Sequence, residues 1–255
     1  MGMPSDVSRA PEHLPGPVRV FIVDDHELAR EGLRSLLEAE GLEVVGDCGS
    51  AGEARLRIVG AGTNVAVVDG DLPDGTGIEV CRNVRSLSSG LQCLLLTSYV
   101  DEGVLCAAVL AGAAGYLLRQ LRSHRIVNAV RRAAAGERLL SPFLVERVSA
   151  GLAEVRTDPK FDGLSGWERE VLALMAEGRS NRQISEVLIL EESKVRELVA
   201  ALLTKLGFRD GGPAADMILA TPHPGAPNGP PTNSSARSLP TRPAHLLKPT
   251  AADGR

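Results

Sequence analysis

The sequence predicts an α/β fold followed by an all-helical segment. Between residues 18 and 140, short apolar runs alternate with stretches in which apolar residues recur at helical spacing. Five strand-then-helix units in succession are typical of a parallel sheet that helices cover on both faces. From Leu164 to about Ala220, every stretch has helical periodicity instead. We therefore predict a five-stranded, doubly wound parallel sheet followed by a small all-α domain.

The predicted strands are short and apolar, and each is followed by a helix. The third is the most clearly marked, because the run from Val65 to Val68 is entirely apolar and a Pro/Gly turn follows Asp69 at once. The predicted strands span residues 18–23, 42–46, 65–69, 91–97 and 115–118. The predicted helices span residues 27–40, 51–59, 77–86, 101–111 and 123–135. Together they predict one domain over residues 18–140.

A linker follows this domain. Ser141-Pro142 breaks the alternation of strands and helices, since proline removes a backbone donor. Residues 141–162 are predicted to form the linker, with a helix over 143–155 and a break at Pro159.

The second domain is predicted over residues 163–220. Ser165 and Glu168 have the spacing of a reciprocal N-terminal cap, and Ser180 has the chemistry to cap the next helix. Gly207 ends the third helix. The predicted helices span residues 167–177, 182–187 and 191–206. Two short helices joined by a tight turn predict a helix-turn-helix.

Composition sets further limits. Residues 1–17 are predicted to be a disordered tail without the apolar segment of a signal peptide. Residues 221–255 hold eight of the 16 prolines and are predicted to be a disordered tail as well. No run reaches the ~20 apolar residues of a membrane span, and the four cysteines lack C-x-x-C spacing. We predict a cytoplasmic protein with reduced thiols and no membrane contact.

Carboxylates follow two of the predicted strands. Asp69 ends the third strand, and Asp24 and Asp25 follow the first. The carboxyl ends of parallel strands meet at one edge of a sheet, where open α/β folds keep their sites. Carboxylates that converge there repel each other unless a cation lies between them, and oxygen ligands of this kind suit Mg²⁺. A carboxylate held beside Mg²⁺ can attack a phosphoryl group, so Asp69 is a candidate phosphoacceptor.

Three more residues fit a site at that edge. Thr97 ends the fourth strand, Tyr116 lies on the fifth, and Arg119 follows it. A threonine at a strand end can satisfy a local backbone group, a lone tyrosine can be a core residue, and a lone arginine can be solvated. Their occurrence together on successive strand ends favours a phosphoryl site.

These residues carry a resemblance to a known family. Residues 18 to about 140 resemble a response-regulator receiver domain, which is flavodoxin-like, and residues 163 to about 220 resemble a LuxR-type helix-turn-helix. The pair is similar to the NarL/FixJ class of two-component response regulators. The resemblance to the dormancy-survival (DevR/DosR-type) regulators is strongest in three stretches, LPDGTGIEVCR, LQCLLLTSY and AGAAGYLLRQ.

The resemblance implies a role for each site residue. A sensor histidine kinase would phosphorylate Asp69, and Asp24, Asp25 and Asp69 would hold Mg²⁺ together with the backbone carbonyl of Asp71. Thr97 and Tyr116 would form the switch that reports phosphorylation. The protein would then form a homodimer on promoter DNA, and it would not be an enzyme with external turnover.

One departure lies at the site itself. The family places a lysine where this chain has Arg119. The charge is kept, but a planar, forked guanidinium does not replace a compact ammonium at a tight site. We therefore expect weakened phosphotransfer with metal binding retained.

Candidate DNA contacts come from helix starts in the second domain. Ser180 and Asn181 begin one helix, where hydroxyl, amide and backbone N–H groups can bind phosphate. The start of the next helix would enter the major groove, and a later lysine would hold the DNA backbone. These further candidates are Ser193, Lys194, Arg196 and Lys205.

Charge argues against strong DNA binding. The whole chain has a net charge of −4, so attraction to DNA must come from a local basic surface. Residues 163–210 nevertheless carry eight acids and seven bases, including Glu197 beside Arg196. We therefore expect weak, salt-sensitive binding.

Three alternatives remain open. Arg119 could lock a phosphorylation-independent regulator in one state. The acidic helices could form a protein-interaction module that no longer binds DNA. A phosphatase is a weaker third alternative, since Asp71 stands where such enzymes place a second catalytic carboxylate.

Overall fold

The computed structural model describes residues 16–88, 90–98, 102–207 and 218. The predicted tails at 1–17 and 221–255 therefore lie almost entirely outside the described residues. The strands are β1 (Arg19–Val23), β2 (Glu43–Cys48), β3 (Val65–Asp69), β4 (Asp71–Leu72), β5 (Gly75–Thr76), β6 (Gln92–Thr97) and β7 (Gly115–Leu118). Five of them form a parallel sheet in the order β2-β1-β3-β6-β7. This confirms the predicted doubly wound fold.

The helices cover both faces of the sheet and then continue as a helical half. In the α/β half their bounds, like those of the five predicted strands, differ from the prediction by two residues at most. The helices of the α/β half are α1 (Glu27–Ala39), α2 (Ala51–Arg57), α3 (Gly77–Leu87), α4 (Glu102–Ala111) and α5 (Ser123–Ala134). Those that follow are α6 (Pro142–Gly151), α7 (Gly166–Ala176), α8 (Asn181–Leu188) and α9 (Glu192–Lys205).

The linker helix is shorter than predicted. The prediction placed it over 143–155, whereas α6 ends at Gly151. Glycine is a poor helix former, and beyond it the chain continues in tight turns, with the Val155 amide donating to the Leu152 carbonyl at 3.1 Å. Pro142 begins the helix at a position where its missing N–H costs nothing.

A small hairpin follows β3 that the sequence analysis missed. β4 and β5 pair antiparallel around the turn that contains Asp74. The Asp74 carboxylate accepts hydrogen bonds from the backbone N–H groups of Ala51 and Gly52, at 2.7 and 2.8 Å. Gly77 begins α3 so close to β3 that a Cβ there would lie 2.3 Å from the Asp69 carbonyl oxygen. The loop after Asp69 is therefore held by the Asp74 hydrogen bonds to the start of α2 and by the close packing of Gly77 against β3.

The core has two parts, one on each face of the sheet. Val20 and Val67 point to the face covered by α1 and α5, while Phe21 and Val68 point to the opposite face. The second part continues without a break through α4 and α6 into the helical half, where Leu172 and Leu202 are fully buried. The four cysteines are free and buried, as predicted. Among the described residues, none of the helices could serve as a membrane span.

The predicted caps of the helical half are confirmed. Ser165 with Glu168, and Ser180 with Gln183, each form a reciprocal capping box. These caps fix where α7 and α8 begin.

The turn between α8 and α9 carries backbone strain, which gives a first prediction. Ile189 has φ 53° and ψ 47°, a left-handed conformation that a β-branched residue rarely adopts. Its side chain is 91% exposed, so replacing it loses little burial. We expect Ile189→Asn to raise the free energy of unfolding by about 1 kcal/mol, because asparagine tolerates this conformation. Urea unfolding measures the change.

The control for that prediction is Val187→Asn, which changes a half-exposed residue within α8. It makes a similar chemical change where the backbone is helical, and it should not stabilise the protein. Equal or lower stability of the Ile189 variant relative to wild type would show that the turn is not strained.

Candidate functional site

An acidic cluster lies at the carboxyl edge of the sheet. β1 and β3 are neighbours in the sheet, so the residues that end them meet. Asp24 and Asp69 are buried there, while Asp25 and His26 are exposed. One ligand atom from each of these four residues lies within 4.8 Å of the others. The sequence analysis brought the three aspartates together correctly but did not include the histidine.

His26 supports the cluster from the start of α1. Its backbone N–H donates to Asp24 Oδ1 at 2.9 Å. Its imidazole Nδ1 lies 2.6 Å from Asp25 Oδ1. Its position directly after the acid pair was the signal in the sequence that could have identified it.

Arg119 bridges the two buried carboxylates. Its Nη1 donates to Asp24 Oδ2 at 2.7 Å, and its Nη2 forms an ion pair with Asp69 Oδ2. The backbone N–H of Arg119 donates to the Thr97 carbonyl at 2.8 Å, which holds the arginine beside the end of β6. The forked guanidinium therefore spans a gap that a single ammonium could not span in the same way.

Burial changes the acidity of the central carboxyl group. Desolvation is the largest influence on the Asp69 carboxyl group; with Arg119 opposing it and Asp24 adding to it, the pKa of Asp69 is raised to about 6. A desolvated carboxylate next to another carboxylate gains from a nearby cation. Arg119 supplies one positive charge for the pair.

A cavity of about 530 Å³ opens above Asp69. Thr97 and Arg119 line it, as predicted for groups that would face a phosphoryl group, and so does Asp71. Tyr116 does not line it. That side chain is half-buried on β7, in register with Leu95, and packs against the core.

The donor set suits a divalent cation. Asp24, Asp25 and Asp69 supply hard oxygen atoms. Asp25 and Asp69 also line the cavity, where a bound ion could exchange water ligands with the solvent. The cluster therefore fits Mg²⁺, and Arg119 offsets part of the negative charge of Asp24 and Asp69.

A second set of contacts joins the two halves of the chain at Asn181. This predicted DNA contact is 1% exposed. Its Oδ1 accepts from Arg82 Nε at 2.9 Å, and its Nδ2 donates to Asn83 Oδ1 at 3.3 Å. Both partners lie on α3 of the α/β half. In this arrangement Asn181 is not available to a phosphate group.

Arg82 is the centre of these contacts, and the sequence analysis missed it. The side chain is 1% exposed. Besides Asn181, its guanidinium donates to the carbonyl oxygens of Leu110 and Arg179, at 2.5 and 2.9 Å. Burial lowers the pKa of Arg82 to about 9, because neutral oxygens replace water around the charge. Among the described residues, no carboxylate pairs with it.

Helix α9, whose start was predicted to enter the DNA major groove, also faces the α/β half. A cleft of about 500 Å³ separates them, with Ser193, Arg196 and Ala200 on one wall and Arg55 and Glu79 on the other. A helix that reads DNA must enter a major groove about 12 Å wide. The α/β half occupies that side of α9.

The predicted basic contacts are engaged in ion pairs within the helical half. Lys194 Nζ lies 2.9 Å from Glu197, and Arg196 Nη1 lies 3.3 Å from Glu192. Lys205 Nζ donates to the buried Glu168 at 2.8 Å, which ties α9 to the start of α7. The two remaining candidates, Ser180 and Ser193, are a helix cap and an exposed residue of α9.

Comparison with known proteins identifies both halves. Residues 20–131 match the family described as the response regulator receiver domain. Residues 162–218 match the family described as bacterial regulatory proteins, luxR family. The chain is also 43% identical over 194 residues to the DNA-binding transcriptional activator DevR/DosR of Mycobacterium tuberculosis, which covers 75% of this chain and 89% of that protein. The chain belongs to the LuxR-type response regulators.

One further relative and one solved structure are also similar to the chain. The transcriptional regulatory protein LiaR of Bacillus subtilis is 30% identical over 200 residues, covering 78% of this chain and 95% of its own length. The receiver domain of the response regulator NarL from Mycobacterium tuberculosis is 33% identical, covers 48% of this chain and 100% of that chain, and superposes with a TM-score of 0.46. The predicted family is thus confirmed, and with it a function in two-component regulation of transcription.

Proposed function

We propose that this response regulator is phosphorylated on Asp69 by a sensor histidine kinase and that phosphorylation frees its helix-turn-helix for promoter DNA. The observation that carries the proposal is the convergence of Asp24, Asp25 and Asp69 under a cavity that Thr97 also lines. Such a site can hold a phosphoryl group and the cation that accompanies it.

The residues of the cavity divide the work of phosphoryl transfer. Asp69 supplies the attacking carboxylate oxygen. Asp24 and Asp25, with the backbone carbonyl of Asp71, would hold Mg²⁺, which neutralises charge on the transferred group when it is bound. The Thr97 hydroxyl and the Arg119 guanidinium would donate to the phosphoryl oxygens, so Arg119 would exchange its ion pair with the Asp69 carboxylate for one with the phosphoryl group.

In this proposal, the helical half stays packed against the α/β half until Asp69 is phosphorylated. Asn181 is buried against α3, and the exposed end of α9 faces α2 and α3. A conformational change that starts at Thr97 and Tyr116 and separates the halves would expose Ser180, Asn181 and the start of α9. Two such chains, joined as a homodimer, would place two recognition helices on DNA half-sites about one helical turn apart.

The direct test is magnesium-dependent phosphorylation by a small acyl phosphate, followed by mass spectrometry of the modified peptide. We expect one phosphoryl group on Asp69, and Asp69→Asn should abolish its incorporation. Glu31→Gln, which changes an exposed carboxylate on α1, is the control and should retain incorporation. Modification elsewhere, or an unchanged extent in Asp69→Asn, would refute the assignment.

Arg119 supports a second candidate function, a regulator that works without phosphorylation. The guanidinium already pairs with both Asp24 and Asp69 and so supplies part of the positive charge that a bound cation would supply. A reporter assay with Asp69→Ala separates the two candidates, since full activity of that variant supports the second and its loss supports the first.

A further inference from the structure

A cavity of about 510 Å³ lies where the α/β half, the linker helix and the helical half meet. Its walls come from the ends of α3 and α4, from α6, and from α7. Much of the surface is apolar, and the volume lies in the range of sites that bind small molecules. The apolar side chains that line it include Val109, Leu140, Val145, Leu152 and Met175.

Arg85 brings an uncompensated charge into this cavity. It is partly buried, and its guanidinium lies so close to Gly112 that a Cβ there would be 1.6 Å from Nη1. Within the part of the chain that the structure describes, Arg85 forms neither a hydrogen bond nor an ion pair. Its neighbour on α3, Arg82, has three acceptors. Arg85 is therefore left with a donor group but without an acceptor.

Arg138 places a second positive charge on the same wall. Burial lowers the pKa of Arg85, and the nearby Arg138 lowers it further. Arg156 also lines the cavity, but its Nε already donates to both carboxylate oxygens of Glu170. The acid among the described lining residues is Glu177, which lies 3.6 Å from Arg179. Two guanidinium groups thus face one space, and no carboxylate within the described part of the chain pairs with either.

We propose that this cavity binds a small organic anion, whose carboxylate or phosphate group pairs with Arg85 and Arg138 and whose compact apolar body packs on Val145 and Ala176, which are only partly buried. Guanidinium groups are suited to both kinds of oxyanion, through paired N–H donors. Because the walls belong to both halves of the chain, the bound anion stabilises the closed arrangement. The site is thus an effector site, separate from the Asp69 cavity.

The test is anion binding by the full chain without phosphodonor, DNA or magnesium. The probes are isovalerate, as a carboxylate with an apolar body, and inorganic sulfate, as a tetrahedral oxyanion, each titrated at constant ionic strength. Thermal melting and calorimetry should show a saturable response to isovalerate, whose apolar body can pack in the cavity, and a weaker response or none to sulfate. Absence of a saturable response to isovalerate would overturn the proposal.

Two variants locate the site. Arg85→Gln and Arg138→Gln should each weaken binding by about tenfold or more, since each removes a hydrogen bond between charged groups. Arg138 is exposed, so its variant tests the site without removing a buried group. Arg125→Gln makes the same charge change on the exposed side of α5 and should bind like wild type. Equal affinity of all three variants would place the anion elsewhere.

Discussion

Replacing Arg82 by glutamine is expected to raise the DNA affinity of the unphosphorylated protein about tenfold or more. The guanidinium crosses from α3 to Asn181 and to the Arg179 carbonyl, so it holds α8 to the α/β half with two hydrogen bonds. Hydrogen bonds that involve a charged group contribute about 1.5–3 kcal/mol each, and 1.4 kcal/mol corresponds to a factor of ten in an equilibrium constant. Loss of these bonds shifts the population toward the open form.

Fluorescence anisotropy with labelled promoter DNA at low salt measures this effect. The variant changes Arg82 and not Asn181, because Asn181 is itself a proposed DNA contact. Its loss would free the helix-turn-helix and at the same time remove a contact to DNA, so the two effects on DNA affinity would oppose each other. Asn83→Ala removes the second partner of Asn181 and should give a smaller increase. Arg57→Gln, an exposed charge change on α2, should leave the affinity unchanged. Unchanged affinity of the Arg82 variant, with its fold intact by circular dichroism, would show that this contact does not restrain the helix-turn-helix.

Replacing Arg119 by lysine is expected to increase both magnesium affinity and the rate of phosphorylation, each by about tenfold. Arg119 holds one oxygen of Asp24 and one of Asp69 at the same time. A lysine ammonium is a compact charge that cannot bridge both in that way. The change should therefore remove one charge-assisted hydrogen bond between residue 119 and the two aspartates. The free energy of such a bond corresponds to about a tenfold change in affinity.

Magnesium titration and the phosphorylation rate are separate readouts of this prediction. Arg122→Lys, at the start of α5 and exposed, is the matched control because it makes the same chemical change a few residues away. Equal magnesium affinity in wild type and Arg119→Lys would mean that the guanidinium does not compete with the cation. A slower rate in the variant would mean that Arg119 promotes transfer.

The acidic cluster could be predicted because strand ends determine where side chains meet. Asp24 and Asp69 each follow an apolar run, and a parallel sheet brings such ends to one edge. The role of Arg119 as a bridge between them could not be predicted in the same way. Its geometry depends on how far the loop after β7 reaches over the sheet, and the sequence alone does not give that distance.

The contact between the halves could not be predicted from residue type. Arginine is usually exposed, and nothing in the pattern of α3 marks Arg82 as fully buried rather than solvated. Asn181 was predicted to contact DNA because it lies at a helix start. The structure confirms that it begins α8, but there its side chain contacts α3. Local patterns locate caps and strand ends well, whereas contacts between domains depend on surfaces that are far apart in sequence.

The most direct test of the account compares DNA affinity before and after phosphorylation of Asp69 in the same preparation. Anisotropy titrations with promoter DNA, with the extent of modification measured by mass, should show a clear gain in affinity on modification. The Asp69→Asn protein, treated identically, should show none. Unchanged affinity of a fully modified protein would contradict the claim that phosphorylation of Asp69 releases Asn181 and α9 from the α/β half.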